Sequence, residues 1–97
     1  MRKRKTEEIA EFFKILSTPS RIQLLFLLLE KESSVTELAN EMGVTQSAVS
    51  HQLNILKNSG IVTGKRQGKQ IFYILSNSDM RKLLSNEKYV FKSEKVI

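Results

Sequence analysis

The sequence predicts a mainly α domain with one small β-hairpin, on three observations. Apolar residues recur at helical spacing through most of the chain. Capping residues and glycines punctuate that pattern at short intervals. After Gly60 the period changes to that of strands, in GIVTGKR and KQIFYIL. Ninety-seven residues make one domain, 1–97, with no internal repeat, low-complexity tract or linker. So short a chain buries only about 60–70% of its unfolded surface, so its core is modest and self-association would add to it.

The elements follow in order. Residues 1–5, MRKRK, form a basic tip expected to fray. Ile9, Phe12, Phe13 and Leu16 then share one side of a first helix near 6–16. Thr6 is its expected N-cap, and Glu7 and Glu8 suit the positive end of the helix dipole. Thr18 and Pro19 restart the chain, Thr as cap and Pro at the first helical position, where its missing N–H costs nothing. The second helix, RIQLLFLLLEK, is apolar nearly all round, which implies burial on most sides.

Ser34-Val35-Thr36-Glu37 is a capping box opening a short third helix, with Val35, Leu38, Ala39 and Met42 inward. Gly43 ends it in the left-handed conformation, Val44 makes the corner, Thr45 caps a fourth helix and Gly60 ends that one. Two short helices around a tight Gly-containing turn form a helix-turn-helix. Gln67-Gly68 supplies the turn of the hairpin that follows. A fifth helix near 79–92 places Met80, Leu83, Leu84, Val90 and Phe91 on one side. Helix, helix, helix-turn-helix, hairpin, helix is the order of a winged helix-turn-helix.

Composition narrows the function. The formal charge is +6, which favours an anionic partner such as nucleic acid or an acidic membrane surface. The chain has no cysteine, which removes disulfides, thiolate nucleophiles and thiolate metal sites. The longest apolar run, LLFLLL at 24–29, is far short of the roughly 20 residues of a membrane span. In TEEIAEFFK three glutamates stand where a signal peptide would be apolar. A soluble, cytoplasmic chain is the expectation.

The stretch TQSAVSHQLNILKNSG, 45–60, carries the functional argument. On a helical wheel Gln46, Ser47, Ser50, His51, Asn54 and Lys57 fall within about 140°. Val49, Leu53 and Leu56 gather opposite, with Gln52 among them as the exception. Polar stripes are mostly solvated surface, but such surfaces usually mix Glu with Lys and Arg. This one has no acid and favours short side chains that both donate and accept. Such groups approach base edges in a major groove without repelling phosphate, and Gln bidentate to adenine is a standard pairing. The face sits on the second helix of a helix-turn-helix, where the reading helix belongs. Lys65, Arg66, Gln67 and Lys69 lie around the hairpin tip, placed for backbone phosphates or a minor groove. Thr45, Gln46, Ser47, Ser50, His51, Asn54 and Lys57 on the helix, with those four wing residues, are the expected contacts to double-stranded DNA.

Catalysis and metal binding find no support. His51 is the only histidine, without a nucleophile or orienting partner nearby, and one imidazole cannot supply a zinc ligand set. No catalytic residue and no cofactor are assigned. Two other classes compete less well: a winged-helix protein-interaction module, which would tolerate acids on the polar face, and a membrane-surface anchor through MRKRK, which Glu7, Glu8 and Glu11 oppose.

At QSAVSHQLNILKNSGIVTGKRQGKQIFYIL, 46–75, the sequence resembles the ArsR/SmtB family of bacterial winged-helix repressors. LSTPSRIQLL, 16–25, is similar to that family's approach to its second helix. The resemblance implies a homodimer on a pseudo-palindromic operator, with Gln46, Ser47, Ser50 and His51 on bases and phosphates and the wing from Lys65 to Lys69 on backbone. It also implies a dimer interface built from the helices near 6–16 and 79–92. That suits the stripes Ile9, Phe12, Phe13 and Met80, Leu83, Leu84, Phe91, which plain intramolecular core would also explain. Many members release DNA on binding a metal. One family site has cysteines where this chain has Ser34 and Thr36; another falls on Asn77, Asp79, Val90 and Ser93, of which Asp79 alone is a good ligand. The expectation is a repressor without the family's metal or cysteine sensing chemistry.

Overall fold

The computed structural model describes residues 3–85. Five helices and a three-stranded antiparallel sheet follow in the order α1 (Lys3–Ile15), α2 (Pro19–Glu30), β1 (Ser33–Ser34), α3 (Val35–Met42), α4 (Gln46–Asn58), β2 (Val62–Gln67), β3 (Gln70–Leu75) and α5 (Ser78–Ser85). This is the winged helix-turn-helix arrangement. Val90, Phe91, Ser93 and the part of the fifth helix expected beyond Ser85 lie outside the described residues.

The core gathers one face from every helix. Ile15 of α1, Leu24, Leu25 and Leu28 of α2, Leu38 and Ala39 of α3, Val49, Leu53 and Leu56 of α4, and Met80 and Leu84 of α5 are buried with Ile61, Val62 and Leu75. Phe26, Leu27 and Leu29 pack against this cluster, so α2 is enclosed on most sides, as its all-round apolar sequence requires.

The helix ends follow the capping chemistry of the sequence, with two corrections. Ser34 Oγ accepts from Glu37 N at 3.2 Å and Glu37 Oε1 accepts from Ser34 N at 2.9 Å, so both halves of the capping box form. Gly43 closes α3 at φ 68, its N–H on the Ala39 carbonyl at 2.9 Å. Thr45 Oγ1 accepts from Ala48 N at 3.0 Å and starts α4. Thr6, in contrast, is not an N-cap: α1 begins at Lys3, because Lys3-Arg4-Lys5 are good helix formers that extend the turn rather than fray. Thr18 stands at the N-cap of α2, but its side chain makes no capping hydrogen bond; its carbonyl accepts from Arg21 N and Ile22 N instead.

β3 is the central strand, flanked by β1 and β2. Hairpin register runs from Val62 opposite Leu75 to Gln67 opposite Gln70, with Gly68 in the turn at φ 65. Gly64 lies opposite Tyr73; a Cβ there would stand 3.0 Å from both Ile71 Cγ2 and Tyr73 Cε1, so glycine lets the ring cross the strand. The two residues of β1 pair Ser33 with Tyr73 and Ser34 with Phe72, tying the start of α3 to the wing. At the far end of the hairpin the Ile61 carbonyl accepts from Ser76 N and Asn77 N, and Asn77 Oδ1 accepts from Met80 N to cap α5.

Candidate nucleic-acid interface

α4 is seated by three side chains and free on its other side. Val49, Leu53 and Leu56 are at most 1% exposed, and this anchors the helix against the core. Gln46, Ser47, Ser50, His51, Asn54 and Lys57 are all exposed. The six residues therefore share one accessible side of a fixed helix. Thr45 is exposed too, but its oxygen is already the acceptor of the helix cap, which leaves its hydroxyl proton as the group free to bind.

The wing continues the same chemistry. Lys65, Arg66 and Lys69 are exposed on and beside the hairpin tip. Strand alternation sends Lys65 and Gln67 to one face and Arg66 to the other, so the basic groups flank the ribbon on both sides. Gln67 is also exposed, with its Nε2 donating to Glu32 Oε1 at 3.0 Å; this contact braces the wing against the α2–α3 connection. It joins residues 35 positions apart, and no local pattern in the sequence signals it.

Charge is segregated along the chain. From residue 42 to residue 78 there is no Asp or Glu, while Lys57, Lys65, Arg66 and Lys69 fall within that stretch. Just before it, Glu30, Glu32, Glu37 and Glu41 are exposed on α2, α3 and their connection. A cleft between α2 and α3 is lined by Glu30, Glu37 and Glu41 with one cation, Lys31, and involves no residue of α4 or the β2–β3 hairpin. An anion approaching the molecule is favoured at the α4 and wing surface and disfavoured at that cleft. Among the described residues no three His, Cys, Asp or Glu side chains gather as a metal site.

Met80 and Leu84, expected at a dimer interface or in plain intramolecular core, are 0% and 5% exposed in the single chain, because α5 turns them into the core beside α2. Phe13 is 67% and Ile9 37% exposed, while Phe12 and Leu83 are half-buried against the core. Gln52 was the odd polar residue on the seated side of α4; its Oε1 accepts from Arg21 Nε at 2.8 Å, an interhelix contact that local spacing could not reveal.

A helix-turn-helix that presents an acid-free hydrogen-bonding face, followed by a basic hairpin, defines a winged-helix DNA-binding regulator. Residues 18–63 match the family described as bacterial regulatory protein, arsR family, and the chain belongs to that family. It is 42% identical over 82 residues to the HTH-type transcriptional regulator NmtR of Mycobacterium tuberculosis, covering 84% of this chain and 68% of that protein. The crystal structure of the transcriptional repressor BigR from Xylella fastidiosa superposes with a TM-score of 0.82 at 38% identity, over 92% of this chain and 91% of that one. A homodimeric winged helix-turn-helix DNA-binding domain from Mycobacterium bovis, a possible ArsR-family transcriptional regulator, superposes with a TM-score of 0.80 at 26% identity, over 98% and 91% of the two chains. The protein is a DNA-binding transcriptional regulator rather than an enzyme.

Proposed function

We propose that this chain acts in the cytoplasm as a homodimeric repressor that covers a pseudo-palindromic promoter element and so blocks polymerase. The observation that carries the reading is the exposed, acid-free side of α4, with Gln46, Ser47, Ser50, His51, Asn54 and Lys57 presented together above three fully buried anchors. Gln46, Ser47, Ser50, His51 and Asn54 read base edges; Thr45 and Lys57 hold phosphates at the two ends of the helix; Lys65, Arg66 and Lys69 grip the backbone beside it. Two-fold docking places half-site centres about 10–10.5 bp apart, or a multiple of that.

The dimer is supported by the apolar side of α1. Ile9 and Phe13, one helical turn apart, leave large apolar surface in water, and Phe12 and Leu83 border the core. Pairing two such faces buries what one small domain cannot. Phe91 extends this proposal from outside the described residues.

The signal is proposed not to be a metal. Two of the positions at which the family resemblance implies metal ligands are used here as helix caps: Ser34 Oγ accepts from Glu37 N, and Asn77 Oδ1 accepts from Met80 N. Zinc and nickel titrations, followed by DNA binding, test this point. No effect of either metal is expected; stoichiometric binding at micromolar affinity or tighter with release of DNA would contradict it. The repressor reading itself is tested by transcription in vitro from a promoter carrying the bound element. Transcript should fall as protein occupies the DNA, and undiminished or increased transcript would reject it.

A further inference from the structure

Gln52 has no part in the DNA-facing surface. It lies on the seated side of α4 beside Val49, Leu53 and Leu56, half-buried, and accepts the 2.8 Å hydrogen bond from Arg21 Nε in the first turn of α2. α4 leans chiefly on α3 and β2. Among the described residues, the Arg21–Gln52 bond is the one side-chain hydrogen bond that ties α4 to α2. The apolar anchors fix how deeply α4 sits, but apolar contacts are non-directional and constrain its roll weakly. A guanidinium Nε–H points in a fixed direction in the plane of a rigid group, so a bond to it sets orientation as well as distance. Gln52 and the reading face are on opposite sides of one rigid helix, so any roll that stretches this bond turns Gln46, Ser50 and Asn54 by the same angle. Base readout tolerates only about 0.5 Å or 10–20° of such error.

We propose that Arg21 is a positioning residue for DNA recognition: through Gln52 it fixes the roll of α4 on the body of the domain, and with it the register of the reading face on base edges. This rests on the reading of α4 as the helix that contacts bases. The prediction is a loss of discrimination rather than of general affinity.

The test starts with a duplex enriched by the wild-type protein from a random library, compared with a scrambled duplex of equal length by fluorescence anisotropy. Arg21→Ala and Gln52→Leu should each narrow the operator-to-scrambled affinity ratio about tenfold, the worth of a charge-assisted hydrogen bond. The double variant should be no worse than either single one, because all three lack the same bond. Gln52→Glu keeps the acceptor and should retain the ratio. Arg21→Lys keeps the charge but lacks Nε, and should lose discrimination as Arg21→Ala does. Melting curves verify that each variant is folded. A uniform loss on both duplexes that Arg21→Lys restores would make Arg21 a phosphate contact and overturn the proposal, as would additive losses or an unchanged ratio. If the wild type enriches no sequence, the reading of α4 fails and this inference falls with it. That outcome is distinct, because the variants are then never reached.

Discussion

Ser47 and His51 stand exposed on the same side of α4, and at the residue scale the account divides side chains by what they touch on DNA. Ser47→Ala or His51→Ala should weaken operator binding by about 1–3 kcal/mol and relax base preference, whereas Lys65→Ala should weaken all sequences alike and lower the salt slope by about one. Titrations of the three variants on operator and scrambled DNA check this; equal, uniform losses for all three would contradict the division of roles. Much of the site was legible at this scale, because exposure on a helix follows from a period of 3.6 and each of the six polar residues obeys it. What stayed hidden were partners far apart in sequence. Gln52 looks anomalous in the sequence only because Arg21 lies in another helix, and Gln67, expected only as a turn residue and DNA contact, also bonds Glu32 from across the sheet. Thr6 is a residue type that favours caps, but the helix-forming run Lys3-Arg4-Lys5 before it starts α1 earlier.

Helices α3 and α4 show at the element scale how local signals fix a motif that DNA binding depends on. The capping box, the left-handed Gly43 and the Thr45 cap hold the turn between them, and all three were readable from residue type and spacing. Ser34→Ala removes one half of the box, and Gly43→Ala forces a Cβ into φ 68. Each should cost about 1 kcal/mol, which is a fall of about 4–8 °C in Tm for a domain of this size. Gly64→Val in β2 should cost more, about 1–3 kcal/mol from overpacking, because its side chain would press on Ile71 and Tyr73. Calorimetry or circular dichroism melts measure all three; an unchanged Tm for Gly64→Val would show that the ring of Tyr73 swings away at little cost. The strand β1 was not legible. Two residues carry no period, and Ser33-Ser34 read as the approach to a helix until β3 was in place to pair with it.

Across the whole molecule, segregated charge and an uncovered apolar helix face set what the chain meets. Basic groups lie with the α4 face and wing, while Glu30, Glu37 and Glu41 line the α2–α3 cleft beside one cation, Lys31, so the charge distribution favours approach of an anion from the α4 side. The winged-helix order was legible because each boundary carries a cap or a glycine. Assigning apolar stripes to core or partner was not: spacing shows that Met80 and Leu84 face inward on α5, but only packing shows that the same chain covers them. The exposed Phe13 keeps the dimer proposal on α1, and Phe13→Asp should shift the protein to monomer in sedimentation velocity and sharply weaken operator binding; an intact dimer would move the interface elsewhere. The central claim, that the α4 face reads sequence, is tested most directly by fluorescence anisotropy on DNA from upstream of the chain's own gene beside scrambled DNA of equal length, at two salt concentrations. The account predicts an affinity gap of about a thousandfold or more that persists at the higher salt. Equal affinities that collapse together as salt rises would reduce the interaction to charge attraction and contradict it.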